Sequence, residues 1–263
     1  MTTAERGSPG SHRGASRFFA EPMREYAQQC LGQPVSVLQA GCLAPVRELG
    51  IGELAEGGFN VSVTVVDADQ PLARSVLQDG VLQHAMVQNT GRDYDDVITG
   101  DLRTVSIPQR SYDVVYCAQL LERVRHVDLV LDRLTSALKP GGLLFVRTGD
   151  RYSAGALLDR MMPGMVRRAV WTRFWPGVPG PFRPVYEKTV SDEGIASYAL
   201  MHGLVIIART SELTLPTQPG GLSSSVRTAR TAIARLSGGR FADTHDELLY
   251  VIRKPQDRFA RVV

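Results

Sequence analysis

The chain has 263 residues, 43% of them hydrophobic and 22% charged, with a formal net charge of +3. This balance excludes wholesale disorder, collagen and coiled coil, leaves no apolar run of the ~20 residues that a membrane span needs, and shows no basic excess for nucleic acid. Cys30, Cys42 and Cys117 form no CxxC pair, so neither a disulfide framework nor a structural zinc is expected; the polar start lacks the apolar middle of a secretory signal, and a cytoplasmic location follows.

Residues 1–16, Gly/Ser-rich and polar, read as a flexible tail. Residues 17–31 predict a first helix despite Pro22. Short apolar runs then alternate with helical patterns. Pro34–Leu38 is β-rich and leads to Gly41; Val61–Val66 is a strand ending at Asp67; Asp96–Thr99 ends at Gly100-Asp101. Tyr112–Cys117 and Leu143–Val146 are two more strands. Between them Val124, Val127, Leu131, Leu134 and Leu138 fall on one helical face, and Lys139-Pro-Gly-Gly142 stops that helix. Strand–helix alternation of this kind predicts a parallel sheet covered on both faces.

After residue 150 the rhythm changes. Residues 151–190 hold seven cations (Arg151, Arg160, Arg167, Arg168, Arg173, Arg183, Lys188) against Asp159 and Glu187, together with Trp171 and Trp175. The segment reads as a helical cap that doubles as a lid for an anionic or amphiphilic substrate. Pro163 and Gly164 interrupt it, which argues against an interfacial helix on a membrane. Ser191 caps a helix to His202, Leu204–Ile207 is a strand, Ser223–Leu236 is an amphipathic helix, and Glu247–Ile252 is a last strand. Arg227, Arg230 and Arg235 are expected to rim the same pocket as the lid.

Two residues point toward a ligand, although Gly41 alone reads at least as well as a plain strand–helix turn. Gly41, just after a strand, permits close approach of backbone N–H groups to a nucleotide-like ligand. Asp67, at the tip of the next strand, can accept hydrogen bonds from both hydroxyls of a ribose. A dinucleotide-binding Rossmann domain would use the same acid, but the chain lacks G-x-G-x-x-G, with no glycine between Gly41 and Gly50. Catalytic triad, metal cluster and phosphate loop are all missing from the pattern, and the five histidines are scattered.

The order of Val37-Leu-Gln-Ala-Gly-Cys42, Val65-Val-Asp67, Gly100-Asp-Leu102, Leu121-Glu-Arg-Val124 and Lys139-Pro-Gly-Gly142 resembles the class I S-adenosylmethionine-dependent methyltransferases, especially the type 11 methyltransferase domain, over residues 35–147. The resemblance implies a Rossmann-like α/β fold, a seven-stranded mostly parallel sheet with helices on both faces. One domain would then span 17–255, with insertions at 151–190 and 214–245 and a tail at 256–263. It implies S-adenosylmethionine as cofactor. Gln39, Ala40, Gly41 and Cys42 would form the loop after the first strand; Asp67 and Ala68 would meet the ribose, Asp101 and Leu102 the adenine, and the backbone of Cys117 and Ala118 the methionine part. The lid residues Arg167, Arg168 and Trp171 would face a small-molecule, glycan or lipid-linked acceptor. Gln39 stands where the family usually has an acid, and Leu43 and Pro45 where it usually has glycines. Either the cofactor is held more weakly, or the chain is a catalytically retired relative that binds a ligand or partner.

Overall fold

The computed structural model describes residues 11–30, 32–41, 46–67, 95–174, 183–213 and 221–256, with side chains described except at 11–13, 170–174 and 221–227. Seven strands form one sheet: β1 (Val35–Ala40), β2 (Val61–Asp67), β3 (Asp96–Thr99), β4 (Tyr112–Ala118), β5 (Leu138–Gly149), β6 (Val205–Glu212) and β7 (Glu247–Arg253). The helices are α1 (Ser11–Gln29), α2 (Ile51–Glu56), α3 (Val127–Ala137), α4 (Ala154–Met161), α5 (Gly164–Phe174), α6 (Asp192–Met201) and α7 (Gly221–Leu236). Across the sheet the order is β3-β2-β1-β4-β5-β7-β6. Strands β1 to β5 run parallel, and β7 lies antiparallel between β5 and β6. This is the seven-stranded sheet expected from the sequence.

The burial pattern explains the order. Every residue of β4 is buried, as a central strand covered on both faces requires, whereas β6 alternates exposed and half-buried positions as an edge strand does. On one face α1 contributes Ala15, Phe19, Met23, Tyr26 and Ala27, which pack over β1, β4, β5 and β7. The Phe19 ring meets Tyr116 and Phe145 edge-on at 6.1 and 5.4 Å. On the other face α3 buries Val127, Val130, Leu131, Leu134 and Ala137 against β4, β5 and the inner side of α6; Val127, Leu131 and Leu134 are on the face the spacing predicts, whereas Val124 precedes the helix and Leu138 opens β5.

Several boundaries differ from expectation (β6 runs on to Glu212 rather than ending at Ile207), and two of the differences have a visible cause. Helix α1 begins at Ser11, so residues 11–16 are not tail: Ala15 is fully buried, and Gly14 leaves the room that the Glu212 carboxylate fills. Strand β5 begins at Leu138 rather than Leu143, because the Lys-Pro-Gly-Gly turn is folded into it as an irregularity against β4. A Cβ at Gly142 would lie 2.7 Å from the Asp113 carbonyl oxygen, a close approach that only glycine permits. Among the described residues no helix is long and apolar enough to cross a membrane.

Candidate active site

The carboxyl ends of β1 to β4 lie side by side. At the tip of β1 the buried Gln39 side chain donates through Nε2 to the Gly41 carbonyl oxygen at 2.8 Å. Gly41 has φ +84°, a left-handed conformation open to glycine, and its N–H donates to Val66 at 2.8 Å, lashing the β1 turn to β2. Ala40 is buried within β1. Asp67, half-buried, ends β2, and its carbonyl accepts from Gly100 N–H at 3.0 Å, which carries the edge on to Asp101. Gly41, Asp67 and Asp101 therefore follow three adjacent strands on one edge. Cys42 and Ala68 lie outside the described residues, as do Leu43 and Pro45.

Asp101 is engaged within its own turn. Arg103 donates from Nε to both carboxylate oxygens (2.9 and 3.1 Å) and from its backbone N–H to Oδ1 (2.9 Å). These bonds hold the Asp101 carboxyl down at about 2. Leu102 turns its side chain into the core, leaving only its backbone to the edge.

At the end of β4, Cys117 and Ala118 are buried, and burial pushes the Cys117 thiol far up, so its sulfur is no nucleophile. Gln119 follows with φ +53°, an uncommon conformation for a residue with a Cβ, and donates its N–H to the Arg147 carbonyl at 2.8 Å. The next turn carries Glu122. Burial raises its carboxyl pKa; Thr148 Oγ1 donates to it at 2.8 Å and Arg123 lies 3.7 Å away. Its backbone carbonyl accepts from Val185 and Tyr186, tying the end of the 151–190 segment to β4.

Under this edge lies a buried ion cluster. Arg147, fully buried, bonds Glu247 at 2.8 Å and Glu48 at 2.5 Å, and the Tyr116 hydroxyl donates to Glu48 at 2.5 Å. Burial alone would lower the guanidinium pKa; the two carboxylates outweigh it and raise it.

Beside the cluster is a pair that sequence reasoning missed. Asp150, just past β5, and His245, just before β7, meet at 2.9 Å (Oδ2 to Nε2). The only signal for it was an acid after one strand and a histidine before another, and it becomes visible once β5 and β7 are known to pair antiparallel. His126, the histidine nearest β4 in sequence, instead sits at the start of α3 with φ +59°.

A family model described as a methyltransferase domain matches residues 24–183. The chain belongs to this methyltransferase-domain family. The ubiquinone biosynthesis O-methyltransferase of Rhizobium rhizogenes is 30% identical over 183 residues, 69% of this chain and 64% of that protein. Its namesake in Agrobacterium fabrum is 29% identical over 175 residues, 66% and 61% of the two chains. This methyltransferase-family chain thus spans less than two thirds of the length of both relatives. Among solved structures, the [4+2]-cyclase SpnF superposes with a TM-score of 0.52 at 16% identity, covering 96% of this chain and 86% of its own. Geranyl diphosphate C-methyltransferase from Streptomyces coelicolor A3(2) gives 0.51 at 13% identity, covering 89% and 77%. These likenesses establish the class I methyltransferase fold.

Residues of a chemistry that suits a methyltransferase-family cofactor are present at two strand tips: Gly41 offers a turn with close backbone approach, and Asp67 carries a carboxylate suited to a ribose diol. Gln39 supplies no charge, and its amide is committed to bracing Gly41.

The lid places its arginines differently from expectation. Arg151 donates to the Tyr186 carbonyl, and Arg160 lies over the Tyr186 ring at 5.8 Å. Arg167 donates to the carbonyl oxygens of Asp159 and Met162 and pairs with the Asp159 carboxylate at 3.5 Å, so it holds the break between α4 and α5. Arg230 is buried in an ion pair with Asp246 rather than rimming a pocket. Arg168 and Arg235 are exposed, and the side chains of Trp171 and Arg227 are outside the described set. Among the described residues no cluster of His, Cys, Asp and Glu is arranged to hold a metal ion.

Proposed function

We propose that the protein transfers a methyl group from S-adenosylmethionine to the hydroxyl oxygen of a small anionic or amphiphilic acceptor, in the cytoplasm. The observation that carries this reading is the alignment of Gly41, Asp67 and Asp101 on the tips of three adjacent parallel strands in a methyltransferase-family fold. Asp67 would take the ribose hydroxyls, the Gly41 turn the methionine part, and the Asp101–Leu102 turn the adenine, once Arg103 gives up or shares the carboxylate. Oxygen as the methylated atom is supported by the names of the two bacterial relatives. An acceptor with an apolar body and an acidic group suits the lid, where exposed Arg168 shares α5 with the exposed Met165 and Val166 and Arg183 is exposed as well.

A second reading, a ligand-binding protein without methyl transfer, is favoured by Gln39 in the place of an acid and by the Arg103 clamp on Asp101. Calorimetry with S-adenosylmethionine and S-adenosylhomocysteine, followed by mass spectrometry of acceptor panels, separates the two. Binding with methylated product supports transfer, and binding without product across the panel supports the second reading. Failure to bind either compound at about 1 mM overturns methyl transfer.

A further inference from the structure

Strand pairing brings a histidine–aspartate pair to the carboxyl edge of the sheet, the edge that carries Gly41, Asp67 and Asp101. The last pair of the β5–β7 ladder is Gly149 with Glu247, so Asp150 and His245 lie just beyond it, at the carboxyl end of β5. That end is joined to the end of β4 through the Gln119–Arg147 hydrogen bond, and neighbouring strands are ~4.8 Å apart. The pair thus stands at the same edge as the tips of β1 and β4, with β5 next to β4 in the sheet.

Its geometry is that of an oriented base. Asp150 is fixed on both sides: its Oδ1 accepts from Tyr152 N–H at 3.0 Å, and its own N–H donates to the Asp246 carbonyl at 2.7 Å. Its Oδ2 holds Nε2 of His245, which leaves Nδ1 as the basic nitrogen of the neutral ring. Nδ1 lies 3.2 Å from the hydroxyl of Thr244 on the exposed side of the pair. Glu122, in the turn after β4, is buried and bonded to Thr148, so it does not compete for an incoming hydroxyl.

We propose that His245, held by Asp150, is the base that accepts the proton of the acceptor hydroxyl; the proposal rests on the methyl-transfer reading above. As the acceptor oxygen bonds to the methyl carbon and the carbon–sulfur bond of the donor breaks, the hydroxyl proton passes to Nδ1, directly or through Thr244. The resulting imidazolium is stabilised by Asp150. The groups facing His245 are Asp150, Asp246, whose charge is shared with Arg230, and Asp192. The Asp150 bond chiefly raises the His245 pKa, with burial opposing and the other two acids adding. The free-base fraction, and with it kcat/KM, therefore rises with pH through a value above the ordinary 6.5.

The test has two arms. The protein is saturated with S-adenosylhomocysteine, checked by calorimetry, and titrated with 3,4-dihydroxybenzoate while the His245 ring nitrogens are followed by NMR. Nδ1 should move and Nε2 remain a bonded N–H. Failure of S-adenosylhomocysteine to bind removes the methyl-transfer reading itself; binding with Nδ1 unmoved removes only the role of His245. In turnover, His245→Gln should lower kcat roughly a hundredfold to ten-thousandfold with cofactor affinity unchanged, and Asp150→Asn should shift the acid limb of kcat/KM to lower pH. A His245→Gln variant that is folded by its melting curve and within threefold of wild-type kcat overturns the proposal.

Discussion

Arg103 folds back over Asp101 and grips both of its carboxylate oxygens, so the acid expected to read adenine already has a cation on it. Both side chains are substantially exposed, and the pair contributes little to stability. Its effect falls on ligand binding. Arg103→Ala should release Asp101 and tighten S-adenosylhomocysteine binding severalfold in calorimetry, more at low than at high salt. Weaker binding in this variant would instead make Arg103 part of the ligand's own contact surface.

Asp67 and Gln39 should separate cleanly. Asp67→Ala removes a half-buried acceptor at a strand tip and should weaken S-adenosylhomocysteine by about 1–3 kcal/mol, roughly tenfold to a hundredfold, with the melting temperature nearly unchanged. Gln39 acts through the fold. Its Nε2 braces Gly41, so Gln39→Leu should cost about 1–3 kcal/mol of stability as well as affinity. Restoring an acid with Gln39→Asp adds charge for the cofactor but loses the donor to Gly41, so tighter binding should come with a lower melting temperature. Denaturant titration beside calorimetry reads both terms.

Arg147 is the test of the buried cluster. Arg147→Met leaves Glu48 and Glu247 buried without their cation and should cost about 3–5 kcal/mol in denaturant unfolding. Adding Glu48→Gln and Glu247→Gln should recover a large part, because the charges, not the lost volume, carry the cost. No recovery would place the loss in packing.

Much of the fold was legible because its signals are local. Asp96–Thr99 has the predicted bounds, Val127, Leu131 and Leu134 lie on the predicted face of α3, and Ser191 caps α6 by accepting from Gly194 N–H at 3.1 Å. The placement of Gly41, Asp67 and Asp101 at strand ends was legible too, because each strand's end is marked locally in the sequence. What the sequence hid depends on tertiary pairing. Asp150 and His245 are 95 positions apart and meet only because β7 runs antiparallel to β5. The lid arginines looked free for a ligand because composition counts charge but not partners. Arg151, Arg160 and Arg167 bond backbone carbonyls, and Arg230 pairs with Asp246. Ser11 to Ser16 looked like tail because Gly14 and two serines are poor helix formers; contact with the sheet overrides that propensity.

Glu187 links the 151–190 segment to α3 in a way that pH should expose. Its carboxylate accepts from His126 N–H at 2.8 Å and Val127 N–H at 3.0 Å, capping a helix from outside it. Partial burial pushes its pKa up, but the two amides outweigh that and hold it below the ordinary 4.5. A lowered folded pKa means the contribution is complete above the unfolded value and disappears as pH falls through the folded one. Glu187→Ala should cost about 1 kcal/mol at pH 7 and progressively less below pH ~4. Denaturant unfolding at several pH values checks this, and a loss that stays constant into acid would rule out the charged cap.

Arg167 and Arg168 are neighbours in sequence with different surroundings, and single variants should show it. Arg167 is mostly buried, pairs with Asp159 at 3.5 Å and donates to the Asp159 and Met162 carbonyls at the end of α4. Those carbonyls are the orphan acceptors of a helix C-terminus, and Pro163 prevents the next turn from satisfying them. Arg167→Ala should therefore cost about 1–2 kcal/mol and speed amide exchange through 157–170, with any rise in acceptor KM following from a loosened lid. Arg168 lies exposed on α5. Arg168→Ala should raise the KM of a carboxylate-bearing acceptor and spare that of its methyl ester. Equal KM changes for acid and ester would show that Arg168 does not meet the acceptor's charge. Unchanged exchange in Arg167→Ala would show that the break between α4 and α5 holds without it.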